Sequence, residues 1–209
     1  MASAANVLTD DSLLSRLDRA LFRVEGWLAL VSGLAVFALM VLAVVSVGGR
    51  NFFNMPVPGY VDWIEQAMPF IAITGIAFVQ RLGGHIRMDL FVGNLKGRPL
   101  WIAEFVTVLL ILLVMIVLLY GSWSHFVRSF DFAAPLWSRD SSIDIALPIW
   151  PAKLVVPVAF FVLCVRLVLQ LWAYARAIRT GEREPVAVPL IEDVATQASR
   201  EAETVSGRD

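Results

Sequence analysis

Charge is scarce in this sequence: only 17% of its 209 residues are Asp, Glu, Lys or Arg, and the formal net charge is −1. The cations sit in short groups beside apolar runs rather than in one stripe, which excludes nucleic acid as a partner. Cysteine is limited to Cys164, inside an apolar run, so neither an intrachain disulfide nor a thiolate metal cluster can form. Histidine is limited to His85 and His125, both outside the apolar runs. A haem held inside a membrane by axial histidines is therefore excluded, and no other cofactor is expected. No internal repeat is visible, so the inverted halves of many self-sufficient transporters are missing. Nor is there any constellation of nucleophile, base and acid, and the chain is not expected to be an enzyme.

What is abundant is apolar surface. Hydrophobic residues make up 58% of the chain, and the mean hydropathy is +0.73. They gather into four runs, 27–47, 60–80, 101–124 and 154–175, each close to the ~20 residues a helix needs to cross the hydrocarbon core. The expected fold class is an all-α membrane protein with four transmembrane helices, an N-terminal interfacial amphipathic helix and a disordered C-terminal tail. Three regions follow: an N-terminal segment 1–26, a membrane domain 27–176 and a polar tail 177–209. In the first, Asp10, Asp11 and Ser12 offer caps to a segment with Leu13, Leu14, Leu17, Ala20, Leu21 and Val24 on one face. Arg16, Arg19 and Arg23 lie off that face, so the segment is read either as a helix lying at the membrane surface or as an ordinary frayed lead-in. The first run is too long for a signal-peptide core and lacks a small-residue cleavage site, so it is expected to be retained. Pro69 should kink the second run without ending it.

Topology follows from the cations that flank each run, because Lys and Arg resist translocation. Arg16, Arg19, Arg23, Arg81, Arg87, Lys96, Arg98, Arg176, Arg179 and Arg183 fall on one side, ten in all, against Arg50, Arg128, Arg139 and Lys153 on the other. Both termini are thus expected in the cytoplasm, with outward segments 48–59 and 125–152. The second of these holds Phe130, Trp137, Trp150, Asp131, Arg139, Asp140 and Asp144, which either sit in the headgroup layer or face a partner.

Ionisable groups inside the runs need a partner or a route to the interface, since each costs ~2.5 to 3.5 kcal/mol at the bilayer centre. By depth, Arg166 either pairs with Glu104 or snorkels to the headgroups. Asp62 and Glu65 are similarly placed to pair with Arg50 or Lys153. Such pairs would fix helix order without making a conduction path, which needs polar groups from several spans converging at the midplane.

Several stretches are familiar in their order. Gly49-Arg50-Asn51-Phe52-Phe53-Asn54, Pro56, Trp63-Ile64-Glu65-Gln66, Gly75-Ile76-Ala77-Phe78 and Arg81-Leu82-Gly83-Gly84-His85-Ile86-Arg87-Met88-Asp89 are followed by Leu147-Pro148-Ile149-Trp150-Pro151-Ala152-Lys153-Leu154-Val155-Val156-Pro157. Over 28–171 the chain resembles the small membrane subunit, DctQ, of the tripartite ATP-independent periplasmic (TRAP) transporters. One departure is Gln66, where many members carry a second acid after the tryptophan, so Glu65 must act alone. The resemblance implies a large DctM-like membrane subunit that carries solute and sodium, and a soluble DctP-like periplasmic protein that captures a carboxylate-bearing solute. It also implies residence in the bacterial inner membrane and a scaffolding role. Arg50, Trp63, Glu65, Gly75, Arg81, Gly83, His85 and Asp89 are the motif residues, with Glu104 and Arg166 as further helix braces. Their bland readings are turns for Gly83 and Gly84, and a cap or pin on the connection for His85 and Asp89. A self-contained oligomeric channel or carrier, and a membrane anchor for an enzyme complex, are the alternatives.

Overall fold

The computed structural model describes residues 10–81, 98–181 and Val188. Its helices are α1 (Leu13–Phe53), α2 (Tyr60–Thr74), α3 (Ile76–Arg81), α4 (Arg98–Ser129) and α5 (Trp150–Thr180), with a 3-10 turn at Pro135–Trp137. Among the described residues there is no strand, only two isolated bridges, Phe130 to Ser138 and Ser141 to Pro148. The chain is an all-α membrane protein. By length and composition α1, α4 and α5 can each cross a bilayer.

The N-terminal amphipathic segment is not a separate helix. Ser12 caps α1, its Oγ accepting from the Ser15 N–H at 3.3 Å, and the Asp10 carboxylate in turn accepts from the Ser12 N–H at 3.0 Å. From there the helix continues unbroken for 41 residues into the first apolar run. It ends where Asn54 turns left-handed (φ 54°) and the Met55 N–H reaches back to the Gly49 carbonyl at 3.0 Å. The turn is possible because position 49 has no side chain: a Cβ there would stand 2.5 Å from the Met55 carbonyl oxygen.

The second run contains Pro69 inside α2 as expected, but the helix is interrupted at Gly75. There the Gly75 N–H bonds to the Ile73 carbonyl instead of continuing the ladder. The Ile71 carbonyl is taken by the Ser32 hydroxyl of α1 at 3.1 Å. A neighbouring helix thus satisfies a backbone group that lipid could not.

Helix α5 is the centre of the bundle. Leu163, Leu167, Ala173, Tyr174 and Ala177 are buried against Trp101, Val108 and Leu112 of α4, together with Ala77 of α3 and Leu14 of α1. By contrast none of the most apolar stretch of α1 is buried within the chain, against 44% of that of α5. Cross-helix contacts fix the directions. Asp18 near the start of α1, Arg81 at the end of α3 and Arg166 in the second half of α5 meet at one end. The opposite end joins Ser129 of α4 to Lys153 of α5. Helices α1 and α4 therefore run one way, and α2, α3 and α5 return.

Candidate functional site

Four ionised side chains close a network at the N-terminal end of the bundle. Arg166 is completely buried, and its Nε and Nη2 donate to the two oxygens of Glu25, both at 2.7 Å. This is the bidentate fork that guanidinium and carboxylate share, stronger than a neutral hydrogen bond. Its Nη1 donates to Asp18. Arg81 grips the same Asp18 through Nη2 at 2.8 Å and Nε at 3.3 Å. The Arg81 guanidinium also lies 3.9 Å above the Phe22 ring, and Phe22 stacks on Phe78 at 5.8 Å. Two positive and two negative charges face one another, with Asp18, Glu25 and Arg166 fully buried and Arg81 nearly so. Glu25 stands two residues before Trp27, so α1 delivers its acids at the margin of the apolar layer, where Arg166 would otherwise lack a counter-ion. Beside the network, Gln80 donates to Gln170 at 2.9 Å.

The pairings expected by depth are therefore replaced. Arg166 neither snorkels nor pairs with Glu104, because Asp18 and Glu25 occupy its donors. Glu104 is buried and accepts from the Tyr174 hydroxyl at 3.4 Å, while Tyr174 stacks on Trp101 at 6.1 Å. Arg50 and Glu65 are exposed, and among the described residues neither forms an ion pair. Asp62 and Lys153, the other proposed members of that brace, are engaged elsewhere. The motif residues Gly83, His85 and Asp89 lie outside the described residues, as does all of the expected tail beyond Gly181 except Val188.

At the opposite end the segment between α4 and α5 is clipped onto α2. The Asp62 carboxylate accepts from the Ser142 hydroxyl at 2.6 Å and from the backbone N–H groups of Asp144 and Ile145 at 3.1 and 2.9 Å. Gln66 donates through Nε2 to the Pro148 carbonyl at 3.0 Å, a bond an ionised carboxylate could not make. The Ile145 side chain packs onto Gly59, whose φ of +64° and lack of space for a Cβ both demand glycine. Trp63 is half exposed and lines an apolar groove with Gln66, Phe70, Pro148 and Pro151.

Within this segment the five residues singled out as partner contacts fall into separate roles. Asp140 accepts from Lys153 at 2.6 Å and from Ser129 at 2.8 Å, and the Lys153 ammonium holds its carboxyl below the ordinary value of 3.8. Asp131 accepts from the Ala133 N–H at 2.9 Å and from Arg139 at 3.0 Å. That backbone bond, then the guanidinium, lowers its pKa from 3.8 as well. Trp137 belongs to a ring cluster with Phe130, Phe132 and Trp150, and the Trp150 indole N–H donates to the Leu136 carbonyl at 3.0 Å. Leu136 and Trp137 both have positive φ, 52° and 57°, a costly backbone state that this cluster and hydrogen bond hold in place. Asp144 contributes its backbone, its side chain remaining exposed.

The sequence matches a known family. The profile of the DctQ component of tripartite ATP-independent periplasmic transporters matches residues 37–177. The chain belongs to the DctQ family. It is thus the small membrane subunit of a TRAP transporter, an inner-membrane protein of a system whose other parts are DctM- and DctP-type components. No curated protein sequence matches it as a relative. The DctQ match begins at Phe37, so it includes Arg81 and Arg166 but neither Asp18 nor Glu25. Those two acids are members of the charge network that the sequence pattern did not single out. The available signal was their spacing: seven residues apart, hence two turns along one helix face, with the arginines on other faces.

Proposed function

We propose that this DctQ-family chain is the non-catalytic scaffold of a sodium-coupled TRAP importer for a carboxylate-bearing solute. It braces the DctM-like subunit in the membrane and helps to dock the DctP-like binding protein at the outward segment 125–152. One observation carries the scaffold reading. The internal charges of the bundle are neutralised among themselves at one end, while the apolar length of α1 is left uncovered. Among the described residues such a bundle offers no chain of polar groups through the midplane but does offer a fixed apolar wall to a neighbour. In this reading both termini lie in the cytoplasm, which the distribution of cations supports. The outward segment then presents Phe132, Leu136, Trp137 and Ile143 on a surface stiffened by Asp62, Gln66 and Lys153, suited to a partner that must land repeatedly in one geometry.

Reconstitution tests the reading. Vesicles containing all three components should accumulate a carboxylate solute when driven by an inward sodium gradient, and not without it. Omitting this chain should abolish uptake while leaving solute capture by the soluble component intact. Normal uptake without the chain, or flux through vesicles that contain it alone, would remove the scaffold role.

A further inference from the structure

The first turns of α1 mix acids with bases, and the fold sorts them. Asp18 and Glu25 point into the bundle with no exposure, neutralised by Arg81 and Arg166. Arg16, Arg19 and Arg23 lie on the far side of the helix, all exposed. None has a carboxylate within ion-pair distance among the described residues. Together with Phe22 they line one shallow surface pocket. Among the described residues three positive charges therefore stand uncompensated on a face whose sequence, counted without the fold, looks nearly balanced.

The same stripe changes character as it descends. At helical spacing, three or four residues apart, it continues from Arg16, Arg19 and Arg23 to Trp27, Leu30 and Leu34. These three are 69%, 53% and 60% exposed. Guanidinium groups, then an indole, then aliphatic side chains reproduce along one line the polarity profile of a phospholipid. Arg23 stands about 6 Å above Trp27 at ~1.5 Å per residue, within reach of a headgroup layer roughly 5 to 8 Å deep.

We propose that this stripe binds an acidic phospholipid in the leaflet at the N-terminal end of α1. Arg19 and Arg23 hold the phosphodiester, Arg16 extends the positive field over the rest of the headgroup, and an acyl chain lies along Trp27, Leu30 and Leu34. Guanidinium forks match phosphate oxygens in pairs, and three of them repel the cationic end of a zwitterionic headgroup. A second copy of the chain is a poor occupant, because a two-fold contact would set arginines against arginines. The site requires that α1 cross the membrane and uses one stripe of its uncovered face, leaving Phe37, Met40, Val41 and Val44 for the proposed large subunit; it does not depend on the solute.

The full-length protein in neutral detergent, titrated with phosphatidylglycerol, phosphatidylcholine or inorganic phosphate and followed by native mass spectrometry, tests this. We expect one phosphatidylglycerol to be held well above phosphatidylcholine. At about fivefold per arginine, the variant R16Q/R19Q/R23Q should lose about a hundredfold in phosphatidylglycerol affinity. Arg128→Gln, at the opposite end of the bundle, should lose nothing. Equal affinity for the two lipids, unchanged binding by the triple variant, or displacement of the lipid by equimolar inorganic phosphate would each overturn the site. Should the triple variant fail to fold, the wild type decides: a rise in Tm on adding phosphatidylglycerol should vanish in 1 M salt, where the Debye length is about 3 Å, and persistence of that rise would be contrary.

Discussion

Arg166 shows how one side chain determines what its neighbours must be. A guanidinium cannot shed its proton, so in a water-free site it needs acceptors on every edge, and Glu25 and Asp18 supply them. Arg166→Met strands the buried Glu25 carboxylate and leaves Asp18 to Arg81 alone, and should cost about 3 to 5 kcal/mol, read as a fall in Tm in neutral detergent. The double variant R166M/E25Q should recover part of that loss, and no recovery would mean that the network is not the source of the effect. Arg166→Lys keeps the charge but not the fork, and should fall between. The need for a partner was legible in the sequence, but its identity was not. Depth singles out acids inside the apolar runs, whereas Asp18 and Glu25 precede the first run and reach Arg166 only because α1 continues without a break. Gln66 is a second case. Its amide donates to the Pro148 carbonyl, so Gln66→Glu should remove that bond, costing about 1 kcal/mol at neutral pH. The cost should shrink in acid as the carboxyl regains a proton to donate; an unchanged Tm at neutral pH would show the bond to be idle.

The helices themselves were legible because lipid admits little else: backbone groups must be satisfied within each apolar run, and run length then fixes the element. Their irregularities were less so. Pro69 was visible as a kink, yet the interruption falls at Gly75, where Ser32 can serve the Ile71 carbonyl. That is a property of a neighbouring helix, not of the local sequence. The segment between α4 and α5 was legible only as aromatic and acidic. Its shape depends on long-range clips from Asp62, Gln66 and Lys153, which no local pattern announces. These clips make a pH prediction. Asp140 and Asp131 both titrate below their ordinary value of 3.8, Asp140 because of Lys153 and Asp131 because of the Ala133 N–H and Arg139. A depressed folded-state pKa stabilises above the unfolded value and ceases to do so as pH falls through the folded one. Limited proteolysis of this segment should therefore be flat from neutral pH down to the ordinary carboxylate range and accelerate only below it. Lys153→Met should move the onset to higher pH. Acceleration beginning near pH 6 would assign the loosening to other groups.

For the molecule as a whole, parity is decisive. Three helices long enough to span a bilayer, taken alone, would leave the two ends of the chain on opposite faces. The run formed by α2 and α3 changes that count. Interrupted into 15 and 6 residues, it still rises ~33 Å from residue 60 to 81 at ~1.5 Å per residue, enough for a core of about 30 Å. The contacts agree with a crossing. Asp62 at its start is tied to the segment between α4 and α5, whereas Arg81 at its end is tied to Asp18 at the start of α1, so the run joins one end of the bundle to the other. Four passes would put the termini on one face, and the cation count favours the cytoplasm for that face. Epitope tags at each end, challenged with protease in intact spheroplasts and again after permeabilisation, should both be protected at first and both cleaved afterwards. Cleavage of one tag alone in intact cells would mean that the broken run turns back within the bilayer. In that case Arg81 could not reach Asp18, and the charge network would have to be rebuilt.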